Sequence, residues 1–142
     1  MVRLVPIALV VLVSGCATKG SSVDDGLMSA LSGRAPHANL SPEQLAEVQR
    51  KSLGSQGNPV RSEMPPGERS YLSRLRCPDG AAPAYRRAGS AAEPSPYGSI
   101  MDIYQVACGN NPPVTIFMDM YHPGYVEKSA VSGFTIVDSP RA

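Results

Sequence analysis

The chain of 142 residues has no tryptophan, only two phenylalanines and two histidines, and just three cysteines. Its charges nearly cancel, with 13 Lys and Arg against 12 Asp and Glu, for a formal net charge of +1. That balance lacks the electrostatic footprint of a nucleic-acid binder, so no nucleic acid is expected as a partner. His37 and His122 are too few to complete a nitrogen and sulfur metal site with the available cysteines, and no metal or other cofactor is expected. The G-x-S-x-G pattern of one large hydrolase class is missing as well. Long apolar runs are also absent. Leu4 to Val13 is ten residues, whereas a helix crossing roughly 30 Å of hydrocarbon needs about 20.

That short run reads instead as the apolar centre of an export signal. Arg3 supplies the positive flank, and Ser14 and Gly15 are the small residues that a peptidase pocket accepts. The segment ends on Val13-Ser14-Gly15-Cys16 and turns polar at once, in "ATKGSSVDDG". This ending resembles the lipobox of bacterial lipoproteins. The resemblance implies that the Cys16 thiol is diacylglycerylated, that cleavage falls on its N-terminal side, and that the new amine is acylated. Each buried acyl CH₂ contributes about 0.8 kcal/mol, and two or more chains hold a protein on a membrane. In lipoproteins of this type an Asp after the cysteine favours retention at the inner membrane. Here Ala17 and Thr18 follow, so the resemblance implies the periplasmic face of the outer membrane, with the inner membrane as the alternative.

Three segments are expected: a signal peptide over 1–15, a lipidated cysteine with a flexible Gly-, Ser- and Ala-rich tether over 16–39, and one small domain over 40–142. With Cys16 assigned to lipid, Cys77 and Cys108 form a natural disulfide pair in an oxidising compartment.

The fold class expected for the domain is α+β: one N-terminal helix packed on a small antiparallel sheet of three to four strands, with one disulfide. "LSPEQLAEVQRKSLG" is the clearest helix. Ser41 is a good N-cap, Pro42 suits the first helical position, and Gln44 completes a capping box. Leu45, Val48 and Leu53 make an apolar stripe, and Gly54 is the stop. "GERSYLSRLRC" alternates Tyr71, Ser73, Leu75 and Cys77 against Leu72, Arg74 and Arg76, which reads as a strand, with a short helix as the alternative because β-branched residues are lacking. "YGSIMDIYQVAC" and "VTIFMDMY" alternate on either side of "GNNPP" and predict an antiparallel hairpin. "PDGAAPAYRRAGSAAEPSPYG" reads as a long connection, and "GFTIV" as a short last strand of the sheet. Cys77 and Cys108 would then end successive antiparallel strands at opposite edges, which strains the pairing order.

A helix followed by strands, behind a lipobox and with "SPEQLAEVQRKSLG" before the sheet, is similar in outline to the small α+β outer-membrane assembly lipoproteins. The strings "LGSQGNPVR", "GERSYLSRLRCPDG" and "MDMYHPGYVEKSAVSGF" also resemble those of bacterial envelope proteins to which no activity is attached. These resemblances imply a location and a style of fold, and no catalytic residue.

Two clusters are candidates for chemistry or binding. "MDMYHPGYVE" gathers Asp119, Tyr121, His122, Tyr125 and Glu127, the residue types of an acid–base site. Pro123-Gly124 signals a type II turn, which favours a hydrogen-bonded turn histidine over a catalytic one. Ser129 and Ser132 are ordinary loop serines. Asp102 and Asp119 fall on adjacent strands, but alternation puts them on opposite faces, as edge or solvent-facing charges; a glycosidase-like carboxylate pair is rejected. Arg69, Arg74, Arg76, Arg86 and Arg87, interleaved with Tyr71 and Tyr85, suit carboxylate or phosphate recognition. The same segment reads equally as a solvated face balanced by Glu63, Glu68 and Asp79.

The binding residues expected are therefore Arg74, Arg76, Tyr85, Arg86, Arg87 and His122, with no catalytic residue. The function expected is a membrane-anchored accessory or binding module that engages an envelope protein or peptidoglycan. The alternative is an inhibitor or immunity-type protein against a cell-wall hydrolase, with Pro78–Gly98 as a plug. An enzyme acting through His122 ranks third.

Overall fold

Residues 40–138 are described in the computed structural model. The expected signal over 1–15, Cys16 as the expected lipid-attachment residue, the expected tether over 16–39 and His37 lie outside the described residues. The capping box sets the start of α1, Pro42–Gln49. The Gln44 N–H donates to Ser41 Oγ at 3.3 Å, and the Ser41 N–H donates back to Gln44 Oε1 at 2.8 Å. The helix stops short of Leu53. Gly54, at φ +84°, then turns the chain, and its N–H donates to the Asn58 carbonyl at 2.8 Å.

Beyond the turn come β1 (Val60–Arg61), α2 (Met64–Arg74), β2 (Leu75–Arg76), β3 (Ala84–Ser90), β4 (Asp102–Ala107), β5 (Val114–Asp119) and β6 (Thr135–Ile136). The main sheet has the order β1-β5-β4-β3, and β2 and β6 form a separate antiparallel pair. The fold is α+β, with a Cys77–Cys108 disulfide. The expected hairpin is present as β4 and β5, with Tyr104 opposite Ile116.

Five details differ from the sequence reading. "GERSYLSRLR" is mostly helix: Glu68, Tyr71, Leu72 and Leu75 recur at helical spacing and are all buried. β1 runs parallel to β5, so the sheet is mixed. The presumed long connection contains β3, and "GFTIV" pairs with β2 instead of extending the main sheet. Finally, α2 and not α1 supplies the helical part of the core: Tyr71 and Leu72, followed directly by Leu75, pack against Val60, Tyr104, Val106, Ile116 and Met118 on one sheet face, with Val131 closing over them.

β3 also resolves the geometry of the disulfide. It runs antiparallel to β4 with Ala84 opposite Ala107, so the residues before β3 arrive where β4 ends. A turn at Cys77–Ala81 completes the approach, with the Gly80 N–H donating to Cys77 and the Cys77 N–H to Ala81, both at 2.8 Å. The two cysteine Cα atoms stand 5.7 Å apart, within the normal disulfide span.

Candidate functional site

The end of β5 carries Asp119, whose side chain is fully buried on the sheet face opposite the main core. Its Oδ2 accepts hydrogen bonds from Ser95 Oγ at 2.6 Å and from Ser99 Oγ, and lies 3.2 Å from His122 Nε2. Its Oδ1 accepts from the Tyr121 N–H at 3.1 Å. Burial alone would raise the Asp119 carboxyl, but the hydrogen bonds from His122, Ser95, Ser99 and Tyr121 outweigh it and hold the group below the usual carboxylate range. The expectation of an edge or solvent-facing charge is overturned because the segment after β3 folds back and brings Ser95 and Ser99 over the carboxylate. Asp102 is buried too, and it lies on the other face.

His122 begins the expected turn: the Tyr125 N–H donates to the His122 carbonyl at 3.1 Å, and Gly124 takes φ +72°. Its ring stands edge-on to Tyr97 at 4.8 Å. A serine–histidine–carboxylate relay needs the imidazole between nucleophile and acid. Here the two serines and the histidine converge on one carboxylate oxygen, and Ser95 and Ser99 are buried. The cluster ties the segment that carries Ser95 and Ser99 to the end of β5 and the turn that follows it.

A second polar centre joins α2 to the sheet. Glu68 is fully buried; its Oε2 accepts from the Tyr104 hydroxyl at 3.0 Å, while its Oε1 has no hydrogen-bond partner among the described residues. Nearby Asp102 takes a two-pronged pair from Arg87, at 2.5 and 2.6 Å. Burial, and then the negative charge of Asp102, push the Glu68 carboxyl up to about 7 against the opposing pull of the Tyr104 hydroxyl, Arg87 and Arg69.

The expected arginine cluster divides once its members are placed. Arg74 is buried, with Nη2 donating to the Glu127 carbonyl at 2.7 Å and Nε to the Ser70 carbonyl at 3.4 Å. It fastens the segment after β5 to α2. Arg76 Nη1 donates to the Ser73 and Leu75 carbonyls at 2.9 and 2.7 Å. Arg87 is committed to Asp102, and His122 to the Asp119 cluster. Tyr85 and Arg86 remain exposed on β3, and Arg86 forms no hydrogen bond or ion pair among the described residues. The structure therefore does not gather the six expected residues into one face.

Arg61 was missed in the sequence. Its guanidinium lies 3.9 Å from the centre of the Tyr125 ring and 5.6 Å from that of Tyr97. Its Nη2 donates to the Tyr125 hydroxyl at 2.5 Å, and that hydroxyl donates to Glu127 Oε2 at 3.1 Å. No local spacing signals this contact, because the parallel pairing of β1 with β5 creates it.

The face that carries Ala84, Arg86, Gln105, Ala107 and Thr115 is left partly open. One depression of about 250 Å³ is lined by Ala84, Tyr85, Arg86, Gln105, Ala107 and Pro113. Another, of about 310 Å³, is lined by Gln56, Ala91, Ala92, Glu93, Ile103 and Phe117. Among the described residues, no group of three or more His, Cys, Asp or Glu is placed to hold a metal ion, and no helix is long and apolar enough to cross a membrane.

Comparison with protein-family models, curated proteins and solved structures finds no match to this chain.

Proposed function

We propose that this protein is a lipid-anchored periplasmic lipoprotein of the bacterial outer membrane that acts as a binding or accessory module, without chemistry of its own. The anchor reading is supported by Val13-Ser14-Gly15-Cys16 behind a ten-residue apolar run. The binding reading is supported above all by β3, a seven-residue strand at the edge of the sheet that is exposed along nearly its whole length. Polar residue types that suggest chemistry, such as His122 and Asp119, are engaged in holding segments together, whereas Tyr85 and Arg86 are presented outward.

Metabolic labelling with a palmitate analogue in a Gram-negative host tests the anchor. The parent chain takes up label and fractionates with outer membrane, and Cys16→Ser does neither; label retained by Cys16→Ser refutes lipidation there. Lysozyme digestion of sacculi with added protein tests the alternative inhibitor role. An accessory module leaves the digestion rate unchanged, and protection of the sacculi replaces this reading with that of an inhibitor.

A further inference from the structure

We propose that β3 is a docking edge, to which an extended segment of a partner protein adds as a further strand with a carboxylate beside Arg86 and an apolar side chain two residues away over Ala84. This deepens the accessory reading and rests on it. The two sides of the main sheet differ. Beyond β5, the edge is taken by β1 and by the Gly54 carbonyl, which accepts the Phe117 N–H at 2.8 Å. Beyond β3, no strand pairs among the described residues. An unpaired edge offers a row of N–H and C=O groups to an incoming strand, while side chains on alternate positions set specificity.

The side chains at this edge select what binds. Arg87 is matched by Asp102, but Arg86 has no ion pair among the described residues, so the uncompensated charge is positive. A second copy pairing through β3 in a register that sets Arg86 and Arg87 of the two strands opposite one another would place like charges across the strand pair, which is unfavourable. An acidic partner strand is favoured instead. Ala84 pairs with Ala107 and Arg86 with Gln105, so Ala84 and Arg86 share one face. With only methyl side chains at Ala84 and Ala107, a depression of about 250 Å³ lies beside that edge. Residues two apart on an added strand share a face, so one fills this depression while the next meets Arg86. The side chain between them falls on the Tyr85 face, where a β-branched residue packs well on an aromatic ring. The bulge between Arg87 and Gly89 breaks the register and ends the regular edge.

The test uses the full chain in detergent with two benzophenone-bearing, fluorescent peptides, Thr-Val-Thr-Glu-Thr-Val-Thr and its counterpart with Lys in place of Glu. The proposal expects the Glu peptide to bind about fivefold more tightly, and light-induced crosslinks to map to β3. Arg86→Glu should reverse the preference and Arg86→Gln should erase it, with thermal unfolding unchanged in both. Equal binding of the two peptides, a preference insensitive to both substitutions, crosslinks mapping elsewhere, or β3-to-β3 crosslinks between copies would each overturn it. Capture from intact envelopes separates the two levels of the claim. A discrete protein recovered equally by the parent and by Arg86→Glu overturns the edge assignment and leaves the accessory role standing. Failure of both chains to capture any envelope protein overturns the accessory role, and the edge assignment with it.

Discussion

Raising the pH from 5 to 8 should destabilise this domain through Glu68. The carboxyl ordinarily titrates at 4.5, and in the folded protein it is pushed up to about 7 by burial and by Asp102. A group raised on folding contributes stability that is fully present below its unfolded value and lost as pH climbs through its folded value. The folded state holds this proton more tightly, by roughly 1.4 kcal/mol for each tenfold in affinity. That amounts to about 3 kcal/mol over the full window from 4.5 to about 7, of which about 2 to 3 kcal/mol falls between pH 5 and 8. Asp119 shifts in the opposite direction, so its contribution is lost only on the acid side of 3.8, outside this window. Urea unfolding of the parent and of Glu68→Gln, with the disulfide intact, isolates the effect. The amide has the shape of the acid and no proton to lose. The parent should lose about 2 to 3 kcal/mol more than Glu68→Gln between pH 5 and 8. Parallel pH profiles for the two proteins would refute the reasoning.

Three other outcomes follow from packing and covalent structure. Reducing Cys77–Cys108, which are 31 positions apart, should lower stability by about 4 kcal/mol in the chain-entropy description; denaturant midpoints that do not move under reductant would contradict this. Tyr71→Phe removes a hydroxyl that donates to the Ser129 carbonyl and accepts the Val131 N–H, both at 3.1 Å. It should cost about 1–3 kcal/mol in chemical unfolding and increase hydrogen exchange at Val131; unchanged exchange there would count against the contact. Gly54→Ala places a Cβ 2.7 Å from Val131 Cγ1 at φ +84°. It should destabilise by roughly 1–3 kcal/mol, and a thermal midpoint equal to the parent's would show that the turn is not so confined.

The parts of the fold that were legible in the sequence are those whose causes are local. The capping box of α1 lies within four consecutive residues, Ser41 to Gln44. The β4–β5 hairpin shows itself through Tyr104 and Val106 alternating with Ile103 and Gln105, and through Ile116 and Met118 alternating with Thr115 and Phe117. α2 was hidden because two of its four buried positions are Glu68 and Arg74, which break the apolar stripe, while Tyr71, Ser73 and Leu75 against Leu72, Arg74 and Arg76 imitate strand alternation. β3 lacks an alternating signal because it sits at the sheet edge with almost no buried residue. Its Ala, Arg and Gly residues read as a loop until β4 is available to pair with. The candidate site was the least legible part. Arg74 and Arg86 look equivalent in the sequence, but one is buried under Glu127 and the other is exposed, a difference set by contacts 53 positions away in the chain. Likewise, nothing near Asp119 announces Ser95 and Ser99, which reach it from before β4.

Crosslinked capture from intact envelopes by the full, lipidated chain, with the captured species identified by mass, tests the accessory role most directly. The account predicts one discrete envelope protein, recovered by the parent and reduced by Arg86→Glu. Recovery of only peptidoglycan fragments or lipid would contradict it and leave a surface tether in its place.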